Sequence, residues 1–263
     1  MNKRKTLKKD IWKTTLAVSL LVLLFIVHAI GSPGDGAEAK KLLHKSVTAL
    51  GGVEAVRGWK TRTATGTTVM YNPGWGTLTA KASQFIKKPN KCKIDNDFSA
   101  YDHPFYYTYY YNCGQAWAVI NLTVRQSPGI TDNLEGFMKT VDGVAYYLEE
   151  CDTLFLVDDA PGDSLLEASE FHRVGCVHEG DTVLFDLSRK DFMPLRMIEN
   201  GGSEHSLFTN YREVDGAKVP FYITTYRNGA LHGYYEWEKI EFGVPIDDAV
   251  FEEDRPAIEE GAR

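Results

Sequence analysis

The chain changes its period at Lys60. Before that point apolar residues recur at helical spacing. In "AEAKKLLHKSVTALGG", Ala39, Leu42, Leu43, Val47 and Leu50 fall on one stripe, and Gly51-Gly52 supplies a stop. A second short helix is predicted in "VEAVRGW". Beyond Lys60 the repeat is two, as in a strand whose side chains alternate between faces. "TRTATGTTVMY" (61–71) and "GTLTAKASQFIKK" (76–88) flank Asn72-Pro73-Gly74-Trp75, a hairpin-type turn signal. Leu78, Ala80, Ala82 and Ile86 share one face of the second run; Thr79, Lys81 and Ser83 share the other. Further strands read at 91–99, 105–112, 115–124, 171–178, 182–188, 195–199, 205–213, 218–227 and 232–242. Consecutive strands joined by short Gly, Pro, Asn and Asp turns make an antiparallel sheet.

One stretch breaks the alternation. In "TDNLEGFMKTVDGVAYYLEECDTLFLV" (131–157), Leu134, Phe137, Met138 and Val141 recur at amphipathic-helix spacing, with Asp132 placed to cap it. A helix over 131–150 is the candidate lid. The pattern predicts an α+β chain with a single curved antiparallel sheet, an N-terminal helix and central helical insertions. A sheet that is apolar on one face must bury it, and the helices are the available cover. An apolar cavity between the two is an expected consequence.

The N-terminus has a different character. Its first thirteen residues carry six Lys or Arg against Asp10 and run into "TTLAVSLLVLLFIVHAIG". Small residues suited to cleavage follow in "AIG" before Ser32 and again at Ala37 and Ala39. Residues 1–31 read as an export signal. The rival is an uncleaved inner-membrane anchor, since about 17 apolar residues is the short limit for spanning a bilayer. The first cysteine is Cys92, so no lipid-modified N-terminus is expected. Loss of residues 1–31 would move the net charge from −7 to −12, which suits neither nucleic acid nor anionic membrane surfaces. The organisation expected is signal or anchor (1–31), linker (32–36), one domain (37–252) and a disordered acidic tail (253–263).

Signatures of catalysis are sparse. There is no P-loop, GxGxxG or Cys-x-x-Cys pattern, and no histidine has a Ser or Cys partner at motif spacing. His172, Cys176 and His178 share a strand face and could chelate, but no fourth ligand is identifiable and satisfied rim residues are the better reading. No catalytic residue, metal or cofactor is assigned. Four cysteines in an exported chain invite pairing. If residues 91–113 form a hairpin turning at "YDHP", Cys92 and Cys113 fall symmetrically about Asp102 and His103. Cys151 and Cys176 centre in the same way on Asp163 and Ser164 of "PGDS". Two bridges are expected, with buried free thiols as the alternative.

"PFYYTYYYNCG" (104–114) puts Phe105, Tyr107, Tyr109, Tyr111 and Cys113 on one face and Tyr106, Thr108, Tyr110 and Asn112 on the other. Such aromatics either pack a core or line a ligand cavity. The expected cavity lining is Phe105, Tyr107, Tyr109, Tyr111, Trp117, Val119, Leu134, Phe137, Met138, Val141, Phe221 and Ile223.

Several segments together resemble a known family. "ALGGVEAV" (49–56), "GTLTAKASQFIKKPNKCKID" (76–95) and "NCGQAWAVI" (112–120) are similar to the outer-membrane lipoprotein-sorting superfamily, the LolA/LolB-like periplasmic carriers of Gram-negative bacteria. "FDLSRKDFMPLRMIENGG", "FTNYREVDGAKVPFYITTYRNG" and "GVPIDDAVFE" extend the likeness over residues 37–252. The resemblance implies an incomplete (half) β-barrel wrapped around helices, with a hydrophobic interior for acyl chains, lipids or lipoproteins. It implies a periplasmic location and no enzymatic activity. Those carriers hold their lid with an Arg near an early strand, for which Arg62 is the nearest counterpart. Four cysteines and a tyrosine run are not part of that pattern. The alternative is a membrane-anchored envelope interaction or stress-sensing protein with a filled core, which binds a membrane partner.

Overall fold

The computed structural model describes residues 33–72, 74, 76–101, 105–157, 166 and 171–253. The signal-or-anchor segment 1–31 and most of the acidic tail lie outside these residues. The first arm of strands comprises β1 (Thr61–Asn72), β2 (Gly76–Lys87), β3 (Lys91–Asp97), β4 (Tyr106–Asn112), β5 (Gln115–Ile120) and β6 (Thr123–Arg125). The second comprises β7 (Thr153–Leu156), β8 (Phe171–His178), β9 (Asp181–Ser188), β10 (Pro194–Glu199), β11 (Glu204–Val214), β12 (Ala217–Arg227) and β13 (Ala230–Phe242). All thirteen lie in one antiparallel sheet, in the order β6, β5, β4, β3, β2, β1, β13, β12, β11, β10, β9, β8, β7. The sheet is not closed: β6 and β7 are its edges. Between them the chain runs through α3 (Pro128–Thr140) and α4 (Val144–Glu150), so one helical insertion links the two edges of an incomplete barrel.

Alternation builds the core face. Along β2, Leu78, Ala80, Ala82, Gln84 and Ile86 are buried and their neighbours are not. Helix α1 (Pro33–Ala49) lays Ala39, Leu42, Leu43 and Val47 on Val174, Cys176, Phe185 and Leu187 of β8 and β9. Each fully buried Leu or Val contributes about 1.5–3 kcal/mol, so this stripe holds α1 to the sheet. Helix α3 lays Leu134 and Met138 on Ile86, Cys92, Tyr111 and Ala116 at the opposite arm. Over the middle strands the helical cover is thinner: the short helix Val53–Arg57 touches β12.

The structure corrects several expectations. Residues 33–36 are the first turn of α1 rather than a linker. Proline is favourable there because its missing N–H has no helical partner in any case, and Gly36 packs so near β7 that an added Cβ would lie 3.0 Å from Leu154 O. The stop is the expected glycine pair: Gly51 has φ 117°, and a Cβ there would come within 2.1 Å of Gly216 O. Helix α2 (Val53–Arg57) follows it. Ser127, not Asp132, caps α3: its side chain accepts from the Ile130 N–H and Pro128 opens the helix. Residues 115–124 are two strands, because Asn121 and Leu122 take positive φ and turn the chain back. The short edge strand β7 has too few residues to show a period.

The first expected disulfide is absent, and Cys92 and Cys113 are free. The register pairs Cys92 with Tyr111, which leaves Cys113 in the β4–β5 turn with φ 51° and its N–H bonded to Asn90 O. Burial pushes the Cys92 thiol up to about 12. Cys151 and Cys176 are bridged, with Cα atoms 5.9 Å apart. Their geometry differs from a symmetric hairpin, since Cys176 faces Leu154 and Cys151 is the C-cap of α4.

The outer face has its own polar and aromatic anchors. Asp186, fully buried, accepts from Arg173 at 2.7 Å and pairs with Arg196 at 2.6 Å. Glu252 and Glu253, the latter expected in a disordered tail, dock on β3 and β4: Lys93 Nζ lies 2.6 Å from Glu253, and Tyr110 donates to it at 3.3 Å.

Candidate functional site

Between α1 and α3 the core face opens into a cavity of about 1070 Å³. Its floor is Arg62, Gln84, Ile223, Tyr235 and Trp237 from β1, β2, β12 and β13, which period two turns to the same side. Phe208, Met197, Val183 and Phe185 continue it toward α1. Trp59 and Phe242, stacked with centroids 5.3 Å apart, form one wall. The α3–α4 corner, with Phe137, Val141, Asp142 and Val144, is the roof. Its size is at the upper end for small-molecule sites.

The corner is gripped by charge. Lys88 Nζ donates to both Asp142 oxygens, at 2.6 and 2.8 Å, and Arg57 Nε lies 3.5 Å away. Lys88 also donates to Arg57 O at 3.0 Å and sits 3.7 Å from the centroid of the Trp59 ring. Arg57 pairs in addition with Glu149 of α4. Burial pushes the Asp142 carboxyl above its ordinary range and the Lys88 ammonium below it, so each charge is held against desolvation by the other. The two halves of the insertion are unequally fixed. Helix α4 buries Val144, Ala145, Tyr147 and Leu148 and is tied by the disulfide and by Tyr146 Oη, 2.8 Å from His178 Nε2. Helix α3, nearly twice as long, buries only Leu134 and Met138. Opening at α3 therefore costs less apolar burial.

Of the residues expected to line a cavity, Phe137, Val141 and Ile223 do so. Leu134, Met138, Tyr109 and Tyr111 instead form the packed seam under α3. Phe105 and Tyr107 pack with Phe98, Leu78 and Ala80 at the other end of the same face, and Phe221 is buried with Ala64, Trp237 and Ile240. Trp117 and Val119 lie on the outer face with Tyr110, whose ring stacks on Trp117 at 5.1 Å. The physical reason is register: Tyr111 pairs with Ala116, so odd residues of β4 share a face with even residues of β5. Trp59, Arg62, Phe208, Tyr235, Trp237 and Phe242 were not singled out as lining, although period two along β13 puts Tyr235 and Trp237 on one side. His172, Cys176 and His178 do not converge on a metal. Cys176 is in the disulfide, His172 stacks on Phe192, and His178 lies 2.8 Å from Glu150 O. Among the described residues no group of His, Cys, Asp or Glu is placed to hold one.

No family model and no curated protein sequence matches the chain. Solved structures do. A DUF1329 family protein from Desulfovibrio piger superposes with TM-score 0.54 at 13% identity, covering 83% of this chain and 98% of the other. An outer membrane lipoprotein-sorting protein domain from Vibrio parahaemolyticus superposes with TM-score 0.51 at 12% identity, covering 81% and 97%. The chain thus shares its overall fold with both structures, one of them a lipoprotein-sorting protein domain.

Proposed function

We propose that the protein binds a hydrophobic or lipidated ligand in the half-barrel cavity and carries it through the periplasm, without catalysis or cofactor. The observation that carries this reading is the open cavity of about 1070 Å³, roofed by a corner that ion pairs hold shut. Each methylene moved from water into such a space contributes about 0.8 kcal/mol. An acyl chain is thereby held tightly enough to cross water, and release needs only a lid that opens or a partner that binds the chain better. The space supports carriage over a filled-core interaction protein, for which a solid interior is expected. The periplasmic location rests on the basic and apolar N-terminus together with the shared fold.

Titration with the apolar fluorophore phenylnaphthylamine tests the reading. The purified protein should take up the dye saturably at one site, and Ile223→Trp, which fills the floor, should weaken uptake at least about tenfold while preserving the fold. Absence of saturable uptake by the wild-type chain would defeat the carrier reading.

A further inference from the structure

Arg62 is a cation on an apolar floor with nothing to answer it. Its Nε is shut off from solvent, and among the described residues it makes no hydrogen bond or ion pair. The charge that acts on it, Asp142, is already committed to Lys88 and Arg57. Burial lowers the Arg62 pKa only to about 10, so it remains charged at neutral pH. The side chain is half-buried with its Nε enclosed, and a charge partly withdrawn from water gains from a partner of opposite sign. Two further polar atoms of the same floor are buried without partners: Gln84 Oε1 and Trp237 Nε1. Gln84 is diagonal to Arg62 across the β1–β2 ladder, where Arg62 faces Ile86 and Ala64 faces Gln84. Arg62, Gln84 and Trp237 thus bring a guanidinium, an amide and an indole N–H to one floor, where a polar head group would find both donors and an acceptor.

We propose that the cavity takes an amphiphile with a monoanionic carboxylate head, seated on the Arg62 guanidinium beside Gln84, with its tail along Trp237, Tyr235 and Ile223. This deepens the carrier reading and rests on it. The planar guanidinium offers paired N–H donors that match a carboxylate, and the Gln84 amide can turn either end to the ligand. A monoanion fits better than a phosphate dianion. Arg62 is the cation of the floor; Lys139 and Arg227, which also border the space, are paired with Glu135, Glu179 and Glu204, and Lys218 is outnumbered by Asp181, Glu199 and Asp142, which repel a second negative charge.

The experiment displaces phenylnaphthylamine from the purified full-length protein with laurate, dodecanol and dodecyl phosphate, which share a tail and differ in head. Laurate should displace the dye about ten- to a hundredfold better than dodecanol, the range expected of one charge-assisted contact. Arg62→Met should abolish that preference, read as the ratio of laurate to dodecanol displacement within the variant, with an unchanged thermal unfolding transition reporting that it is folded; Arg62→Lys should keep part of it. Equal displacement by laurate and dodecanol in the wild-type chain, or a preference that survives Arg62→Met, would overturn the head-group site. Stronger displacement by dodecyl phosphate than by laurate would overturn the carboxylate assignment. If none of the three displaces the dye from any variant, the carrier reading itself has failed.

Discussion

Removing the Cys151–Cys176 bridge should destabilise the protein by an amount that follows from its place in the chain. The two residues are 25 apart in sequence, and the bridge joins the end of α4 to β8. Closing a loop of that order restricts the unfolded chain by about 3 kcal/mol. Cys176 is fully buried, so replacing both with alanine adds a small void worth up to about 1 kcal/mol. The double alanine variant should therefore lose about 3–4 kcal/mol in equilibrium denaturant unfolding. Dye binding at room temperature should be unchanged, because neither sulfur faces the cavity. A loss below about 1 kcal/mol would refute the loop-closure reasoning, and a lost cavity would mean that the buried face of α4 and the Tyr146–His178 contact do not keep the roof in place without the bridge.

The grip on the α3–α4 corner predicts a coupling energy of about 1–3 kcal/mol between Lys88→Ala and Asp142→Ala in a double-mutant cycle; additive effects would mean the two charges act independently. Burial, and then the charge of Glu204 opposite it, raises the Glu199 carboxyl above 4.5. The native state thus holds that proton more tightly than the unfolded chain, and stability falls as pH rises through the native value. Glu199→Gln should melt higher than the wild type near neutrality, with the gap closing below about pH 4. Asp186→Asn leaves the Arg173 and Arg196 guanidinium groups against each other on the outer face and should cost about 3–5 kcal/mol in denaturant unfolding.

The faces of single strands are legible in the sequence, because alternation is local. Leu78 through Ile86 and Tyr107 through Tyr111 lie on the sides that period two assigns. What alternation does not contain is the number of residues in each turn. Cys92 pairs with Tyr111 rather than Cys113, so the expected bridge is absent although both cysteines lie on strands or turns of the same hairpin. Trp117 faces outward for the same reason, since the turn at Cys113 and Gly114 pairs odd positions with even ones. The helical stripe of α1 is read correctly from Ala39 to Leu50, yet its start is not, because Pro33 and Gly36 resemble a linker by composition. The Lys88–Asp142 grip and the isolation of Arg62 come from packing elements more than fifty residues apart in the chain, and no local pattern records them.

Photo-crosslinking tests the central claim most directly. Loaded with a laurate analogue that bears a diazirine at its tail end and then irradiated, the protein should carry one adduct per chain, on peptides containing Phe137, Val141, Ile223 or Trp237. Adducts confined to the outer face around Tyr110 and Trp117, or none above the level of a filled-cavity Ile223→Trp control, would contradict it.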